Sequence, residues 1–315
     1  MYSVFFGLEE SPFNLTPDPK YLYLSRQHRE ALNYLIYGIN ERKGFILVSG
    51  GIGTGKTTLC RALLARLDPK VDTALIFNSY VTDVELLQAV NQEFGIDMEG
   101  MERGKKNYID ALNRFLLGNF SAGRNAVVLI DEAQNLSHEA LEQVRMLSNL
   151  ETEKEKLLQI ILVGQPELKE KLEGPALRQL NERITVRYEL NHLAEDDVHA
   201  YIEHRLGIAG NRGNVKFSDA ACRRIFRHSG GNPRRINAVS DRALLIAFTR
   251  CSNRAFSIGS DEINSAIHDL AGRTDERQPA LSGRGWVGAA AFAAALAITA
   301  SVVCTSGVIN LTGQF

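Results

Sequence analysis

The chain has 315 residues, of which 44% are hydrophobic and 23% are charged, and its formal net charge at pH 7 is -1. This length suits one large α/β domain with a smaller one, and the balanced composition excludes a disordered or fibrous chain. A net charge near zero is compatible with a local basic patch but argues against a protein that coats nucleic acid. We therefore do not expect nucleic acid as a partner.

Residues 1–43 form a lead-in region that ends in a predicted helix, because its last apolar residues recur on one helical face. Four short apolar runs follow and predict buried strands: Phe45–Ser49, Ala74–Phe77, Ala126–Ile130 and Leu158–Val163. Segments long enough to form helices separate these runs. The alternation predicts an α/β domain over residues 44–191, with a parallel sheet flanked by helices on both faces.

A phosphate-binding loop follows the first predicted strand. The segment Gly50-Gly51-Ile52-Gly53-Thr54-Gly55-Lys56-Thr57 fits GxxxxGK[ST] and opens a predicted helix. Its glycines let backbone N–H groups surround phosphate oxygens, while Lys56 reaches the β- and γ-phosphates and the Thr57 hydroxyl ligates magnesium. A flexible glycine turn is the alternative, but it does not account for Lys56, Thr57 and the flanking strand. We therefore expect ATP and Mg²⁺ to bind residues 50–58, including Thr58.

The third predicted strand ends in two acids, Asp131 and Glu132, as in a Walker B motif. At the carboxyl edge of the sheet Asp131 would hold magnesium, and Glu132 would orient or deprotonate the attacking water. Acids also cap strands for solubility, so the upstream loop is what favours the catalytic interpretation. Gln165 ends the next strand and is a candidate sensor of the γ-phosphate. The alternative for Gln165 is a polar residue at the turn that Pro166 begins.

Beyond His192 the strand signals stop, and the pattern predicts a helical lid domain over residues 192–271. Residues 272–285 resemble a linker with glycine, proline and serine. Residues 286–309 carry no charge and are long enough to cross a hydrocarbon core of roughly 30 Å, so they predict one transmembrane helix before a short tail, 310–315. A buried C-terminal helix is the alternative.

The positions of the charged residues and cysteines predict the cellular compartment and membrane orientation of the chain. Arg273, Arg277 and Arg284 precede the apolar segment and no basic residue follows it. The positive-inside rule therefore predicts a single-pass protein of the inner membrane with residues 1–285 in the cytoplasm. Cysteines at 60, 222, 251 and 304 are far apart without a CxxC pair, which is typical of reduced thiols. The N-terminus has no signal-peptide pattern.

Several motifs together resemble the AAA+ ATPases called general secretion pathway protein A, which include relatives from pilus-assembly and exopolysaccharide or exosortase gene clusters. The similar segments are FFGLEESPFNLTPDPKYLYLSRQHREAL, GGIGTGKTT, VVLIDEAQNL, ILVGQPEL and GGNPRRIN. The resemblance implies a nucleotide site between an α/β domain and a helical lid, in homo-oligomers whose subunits complete each other's sites. It also implies that Arg183 in LNERI is an arginine finger and that Arg234 is the lid arginine called sensor 2. A surface role for Arg183 is the alternative, with Arg178 its nearest rival, and Arg235 is the alternative to Arg234.

These patterns predict a membrane-anchored AAA+ ATPase that hydrolyses ATP to drive or regulate assembly of a secretion, pilus or exopolysaccharide export system, with inner-membrane components of that system as partners. The short tail favours the polysaccharide or exosortase branch, since secretion members often carry a long periplasmic region. One alternative is an ATP-dependent DNA-binding regulator of the initiator or transposition type, and another is a nucleotide-gated switch that barely hydrolyses ATP.

Overall fold

The apolar runs form a parallel sheet. The computed structural model describes residues 2–16, 18–100, 102–250 and 256–275. Within them the main sheet has the strand order β2-β3-β4-β1-β5, with every neighbouring pair parallel. The strands are β1 Phe45–Gly50, β2 Val71–Ile76, β3 Asn125–Ile130, β4 Gln159–Gly164 and β5 Ile184–Leu190. The prediction of a parallel sheet flanked by helices is confirmed.

Helices connect these strands and continue beyond them. Those of the N-terminal region and the sheet domain are α1 Tyr2–Phe5, α2 Arg26–Asn40, α3 Lys56–Leu64, α4 Asp83–Glu93, α5 Lys105–Ser121, α6 His138–Leu147, α7 Pro166–Glu173 and α8 Arg178–Arg183. After β5 come α9 Glu195–Ile208, α10 Asp219–Ser229, α11 Pro233–Arg250 and α12 Ser260–Asp275.

Alternate residues of each central strand enter two separate hydrophobic cores. On one face, Phe45 and Leu47 of β1 pack in a cluster that includes residues of α4, α5 and α6. On the other face, Ile46 and Val48 pack with residues of α2 and α3. Since both faces are covered, β1 and β4 are buried along their whole length, which explains why they are continuous apolar runs rather than alternating ones.

Three strands were not predicted. The edge strand β5 alternates exposed with partly or fully buried residues, so it lacks the apolar run of the central strands. The expectation that strand signals stop after His192 is wrong, because β6 Val215–Phe217 and β7 Phe256–Ile258 form a small parallel pair among the lid helices. Strands this short carry little periodic signal.

The N-terminal segment packs on the lid helices through aromatic rings and a buried arginine. The rings of Phe5 and Phe248 lie 5.0 Å apart, and those of Phe6 and Phe256 lie 4.8 Å apart. Arg205 is 7% exposed and donates from Nε to the Pro12 carbonyl at 2.6 Å. The lead-in region is therefore fixed to the lid as well as preceding the sheet.

Two compact units divide the chain, one from Met1 to His268 and the other from Asp269 to Phe315. The described part of the second unit is the end of α12, up to Asp275. No helix among the described residues has the length and apolarity needed to cross a membrane. The predicted span at 286–309 lies outside those residues.

Candidate nucleotide-binding site

The carboxyl edge of the main sheet brings the predicted chemical groups together. Strands β1, β4 and β3 are consecutive in the sheet, so the segments that follow them leave the same edge side by side. Gly50 ends β1 and leads into the phosphate loop, Asp131 and Glu132 follow β3, and Gln165 follows β4. This is the edge at which parallel α/β sheets bind their ligands.

Two glycines shape the phosphate loop. Gly53 has φ = +79°, and a Cβ there would lie 2.6 Å from Asn232 Oδ1, so both conformation and space require glycine. Gly55 has φ = +96° and precedes Lys56, the first residue of α3. The backbone N–H groups of the loop therefore lie next to a helix N-terminus, where partial positive charge favours the binding of phosphate.

The Lys56 side chain is buried against its own loop. Its Nζ donates to the carbonyl oxygens of Gly50 at 2.8 Å and Gly51 at 3.0 Å. Burial lowers the pKa of this ammonium group, while the nearby carboxylates of Glu132 and Asp131 act in the opposite direction. A buried cation with carbonyl partners is well placed to exchange them for phosphate oxygens.

Thr57 and Asp131, the two predicted magnesium ligands, touch each other. Thr57 Oγ1 donates to Asp131 Oδ2 at 2.7 Å, and Asp131 is 2% exposed. The other carboxylate oxygen accepts from the Glu132 backbone N–H at 2.9 Å. A hydroxyl and a carboxylate are hard oxygen ligands of the kind magnesium takes together with substrate phosphates.

Glu132 is held in an unusual conformation by polar neighbours. Its φ of +52° places a non-glycine residue in the left-handed region, which costs on the order of 1–3 kcal/mol. Ser79 Oγ donates to its carbonyl at 2.8 Å. Its Oε2 accepts from Gln134 Nε2 at 2.5 Å and from Gln165 Nε2 at 3.2 Å. The predicted sensor and the predicted base are therefore direct neighbours.

Asn232 connects the lid to the phosphate loop. Its Nδ2 donates to the Ile52 carbonyl at 2.6 Å, while its Oδ1 accepts from the backbone N–H groups of Arg234 at 3.0 Å and Arg235 at 3.3 Å. The same side chain thus caps α11 and tethers that helix to the loop. Arg234 is thereby placed at the loop, where its Cβ lies 3.0 Å from the position of a Cβ on Gly53.

His28 connects the N-terminal region to the same loop. Its Nδ1 lies 2.7 Å from Ser25 Oγ, and its Nε2 lies 3.2 Å from the Thr54 carbonyl oxygen. Burial lowers the pKa of His28, although the Thr54 carbonyl opposes the shift. A neutral ring satisfies both contacts, with Nε2–H donating to Thr54 and Nδ1 accepting from Ser25.

A single cavity contains most of the predicted site. Its phosphate-loop wall is Ile52–Thr58, with Glu132, Gln165 and Arg234 beside it. The N-terminal segment and the lid supply the remaining wall, which includes the side chains of Leu15, Asp18, Tyr21, Leu22, Tyr23, Leu193, Tyr201, Arg205 and Asn237. Three tyrosines and three leucines provide apolar surface of the kind that holds a flat ring, and polar residues such as Asp18, Arg205 and Asn237 lie beside them.

Arg183 does not line this cavity. It lies at the end of α8, where its NH1 donates to Ser148 Oγ and to Asn149 Oδ1, both at 2.6 Å. Its rival Arg178 pairs with Glu182 at 2.9 Å, and both of these side chains are mostly exposed. A position outside its own subunit's cavity is what a residue that acts on a neighbouring subunit requires, and the role of Arg183 stays a prediction.

Gln134, Asn232 and His28 were missed as site residues. Gln134 stands in the DEAQ segment directly after the two acids, and Asn232 precedes a proline at a helix start, which is a capping signal. His28 has no comparable signal, because its contact with Thr54 joins residues far apart in sequence.

Comparison with known proteins agrees with this geometry. Residues 39–172 match the model of the AAA domain family. The chain is 46% identical over 276 residues to general secretion pathway protein A from Aeromonas hydrophila, which covers 88% of this chain and 50% of that protein. The chain is an AAA+ ATPase related to general secretion pathway protein A. It spans about half the length of this curated relative.

Solved structures support the AAA+ fold of this chain. The Aeropyrum pernix ORC2 protein superposes with a TM-score of 0.60 at 18% identity, covering 82% of this chain and 71% of that one. The Thermotoga maritima RuvB Holliday junction branch migration motor superposes with a TM-score of 0.51 at 17% identity, covering 78% and 70%. At such low identity the likeness shows the fold alone.

Proposed function

We propose that this chain binds ATP with Mg²⁺ and hydrolyses the γ-phosphate bond. The observation that carries the proposal is that the phosphate loop, Glu132 and Gln165 line one cavity, with the buried Asp131 bonded to Thr57 of that loop. The loop N–H groups and Lys56 would bind phosphate oxygens, and the apolar wall from the N-terminal segment and lid would hold the base.

The residues present fit magnesium. Thr57 Oγ1 and an Asp131 carboxylate oxygen are already adjacent, and they would hold the ion together with phosphate oxygens. Among the described residues no group of three or more His, Cys, Asp or Glu could hold a metal by itself, which suits an ion that arrives with its nucleotide. When bound, the ion would neutralise charge that develops on the phosphates.

The Glu132 carboxylate would orient the attacking water and accept its proton. Gln165 would sense the γ-phosphate through its amide, and Arg234 would contact phosphate from the lid, so that lid position depends on the nucleotide. Arg183 would complete the site of a neighbouring subunit in a homo-oligomer, where a guanidinium group stabilises the transferring phosphoryl group.

At the level of the cell, we propose that hydrolysis drives or regulates assembly of a secretion, pilus or exopolysaccharide export system from the inner membrane. The family relationship supports this proposal, and the apolar segment 286–309 supports the membrane anchor. Fractionation of cells should recover the chain with the inner membrane and release it when residues 286–309 are deleted. Recovery of the intact chain in the soluble fraction would contradict the anchor.

The test of nucleotide binding is Lys56→Ala, with Lys154→Ala as a matched control, because Lys154 is an exposed lysine on the surface. Isothermal titration of Mg²⁺ and ATP should show binding to the wild type and the control, and loss of tight binding in Lys56→Ala. Equal ATP affinity in all three proteins would contradict the proposal. The alternative of a DNA-binding regulator predicts DNA binding that depends on ATP, which the same proteins can test.

A further inference from the structure

We infer that Gln134 is a positioning residue that holds one oxygen of the Glu132 carboxylate and leaves the other oxygen available to the attacking water. The inference deepens the proposed function and rests on it. Both amides that contact this carboxylate bind the same atom, Oε2, from Gln134 at 2.5 Å and from Gln165 at 3.2 Å. Among the described residues, no hydrogen bond reaches Oε1.

The orientation of the Gln134 amide is determined by its second contact. Its Oε1 accepts from the backbone N–H of Gln165 at 3.1 Å. A backbone N–H can only donate, so the amide oxygen must face Gln165 and the NH₂ group must face Glu132. Gln134 therefore links the end of β4 to the carboxylate, which the Gln165 side chain also contacts directly.

The backbone of Gln134 is also fixed. Lys171 Nζ donates to the Gln134 carbonyl at 3.2 Å and to the Leu136 carbonyl at 2.5 Å. On β4, a Cβ at Gly164 would lie 2.9 Å from Gln134 Oε1, so the glycine leaves the space that the amide occupies. Because its backbone and its amide oxygen are both held by hydrogen bonds, the Gln134 side chain can orient Glu132 at little further entropic cost.

The chemistry of the amide suits a base. A hydrogen bond to a carboxylate stabilises its charged form, and a full positive charge would do so more strongly and make the base weaker. A neutral amide fixes the direction of the carboxylate without placing a charge beside it. This is the arrangement of a catalytic base oriented by a third group.

The test uses the full chain and Gln134→Met, which keeps the length of the side chain and removes the amide, with Gln134→Ala beside it. Gln92→Met is the control, because Gln92 is exposed on α4. We expect kcat for ATP hydrolysis to fall about tenfold or more in both Gln134 variants, as for loss of a hydrogen bond to a charged group. The dissociation constant for ATP, the KM and the melting temperature should stay at wild-type values.

A double-mutant cycle separates positioning from packing. If Gln134 acts through the Glu132 carboxylate, Gln134→Met should cause no further loss of kcat in a Glu132→Gln background. Wild-type kcat in Gln134→Met, or a loss that is fully additive with Glu132→Gln, would overturn the inference while the proposed function stands. Full turnover by Glu132→Gln, or none by the wild type, would overturn the proposed function and this inference with it.

Discussion

Substitutions of Asn232 test how the lid is coupled to the phosphate loop, because its side chain both caps a helix and bonds to the loop, and the two contacts can be removed separately. Its Oδ1 caps α11 at the N–H groups of Arg234 and Arg235, and its Nδ2 donates to the Ile52 carbonyl at 2.6 Å. Asn232→Asp keeps an oxygen for the cap and removes the donor. Asn232→Ala removes both.

The magnitudes follow from these contacts. Loss of the cap costs about 1 kcal/mol of stability, which only Asn232→Ala should show. Loss of the donor leaves the Ile52 carbonyl without its partner, at about 1–2 kcal/mol. If this contact positions the loop for phosphate, ATP affinity should fall about 5- to 30-fold in both variants. The carboxylate of Asn232→Asp should weaken ATP binding further, since it repels phosphate.

The assays are chemical denaturation for stability and isothermal titration for ATP affinity. Ser218→Ala is the matched control, because Ser218 Oγ caps α10 in the same lid through the Ala221 N–H at 3.2 Å and, among the described residues, has no hydrogen bond to the loop. We expect this control to lose stability and keep its ATP affinity. Wild-type ATP affinity in Asn232→Asp would refute the coupling, even if Asn232→Ala is destabilised.

Two further predictions concern assembly and pH. Arg183→Ala should lower ATP turnover by about 10³-fold, whereas Arg178→Ala should not. A mixture of Arg183→Ala with Glu132→Gln subunits should recover part of the rate, because one mixed interface pairs an intact base with an intact arginine. A fully active Arg183→Ala protein whose specific activity does not change on dilution would exclude a role for Arg183 in a neighbouring subunit. Because the folded-state pKa of His28 lies below its ordinary value of 6.5, the unfolded chain binds more protons between the two values, so stability should fall as pH drops through about 6.5. His28→Gln should lose less stability than the wild type between pH 7.5 and 5 in urea titrations, and an equal loss would contradict the burial argument.

The sequence predicted the central part of the site because its signals are local. A buried strand, a glycine loop and a helix are consecutive at residues 45–64, and the acids directly follow another buried strand. In a parallel sheet such segments meet at one edge, so local motifs imply a shared site. The structure brings Lys56, Thr57, Asp131 and Glu132 to that edge, and their roles there stay predictions.

What the sequence did not predict depends on contacts between distant segments. Neither the bond between Asn232 and Ile52 nor that between His28 and Thr54 follows from spacing, because each joins parts of the chain that only the fold brings together. Strand β5 was missed for another reason. At the sheet edge this strand buries only one face, so exposed residues alternate with buried or partly buried ones. A search for continuous apolar runs therefore does not detect it.

The central claim is that Glu132 is the base of an ATP hydrolase. The most direct measurement is steady-state phosphate release by the full chain and by Glu132→Gln, with ATP binding measured on the same samples. The substitution keeps the shape of the side chain and removes the carboxylate. We expect both proteins to bind Mg²⁺ and ATP alike, while phosphate release falls by a factor on the order of 10² or more in Glu132→Gln. Equal rates of phosphate release in the two proteins would contradict the claim.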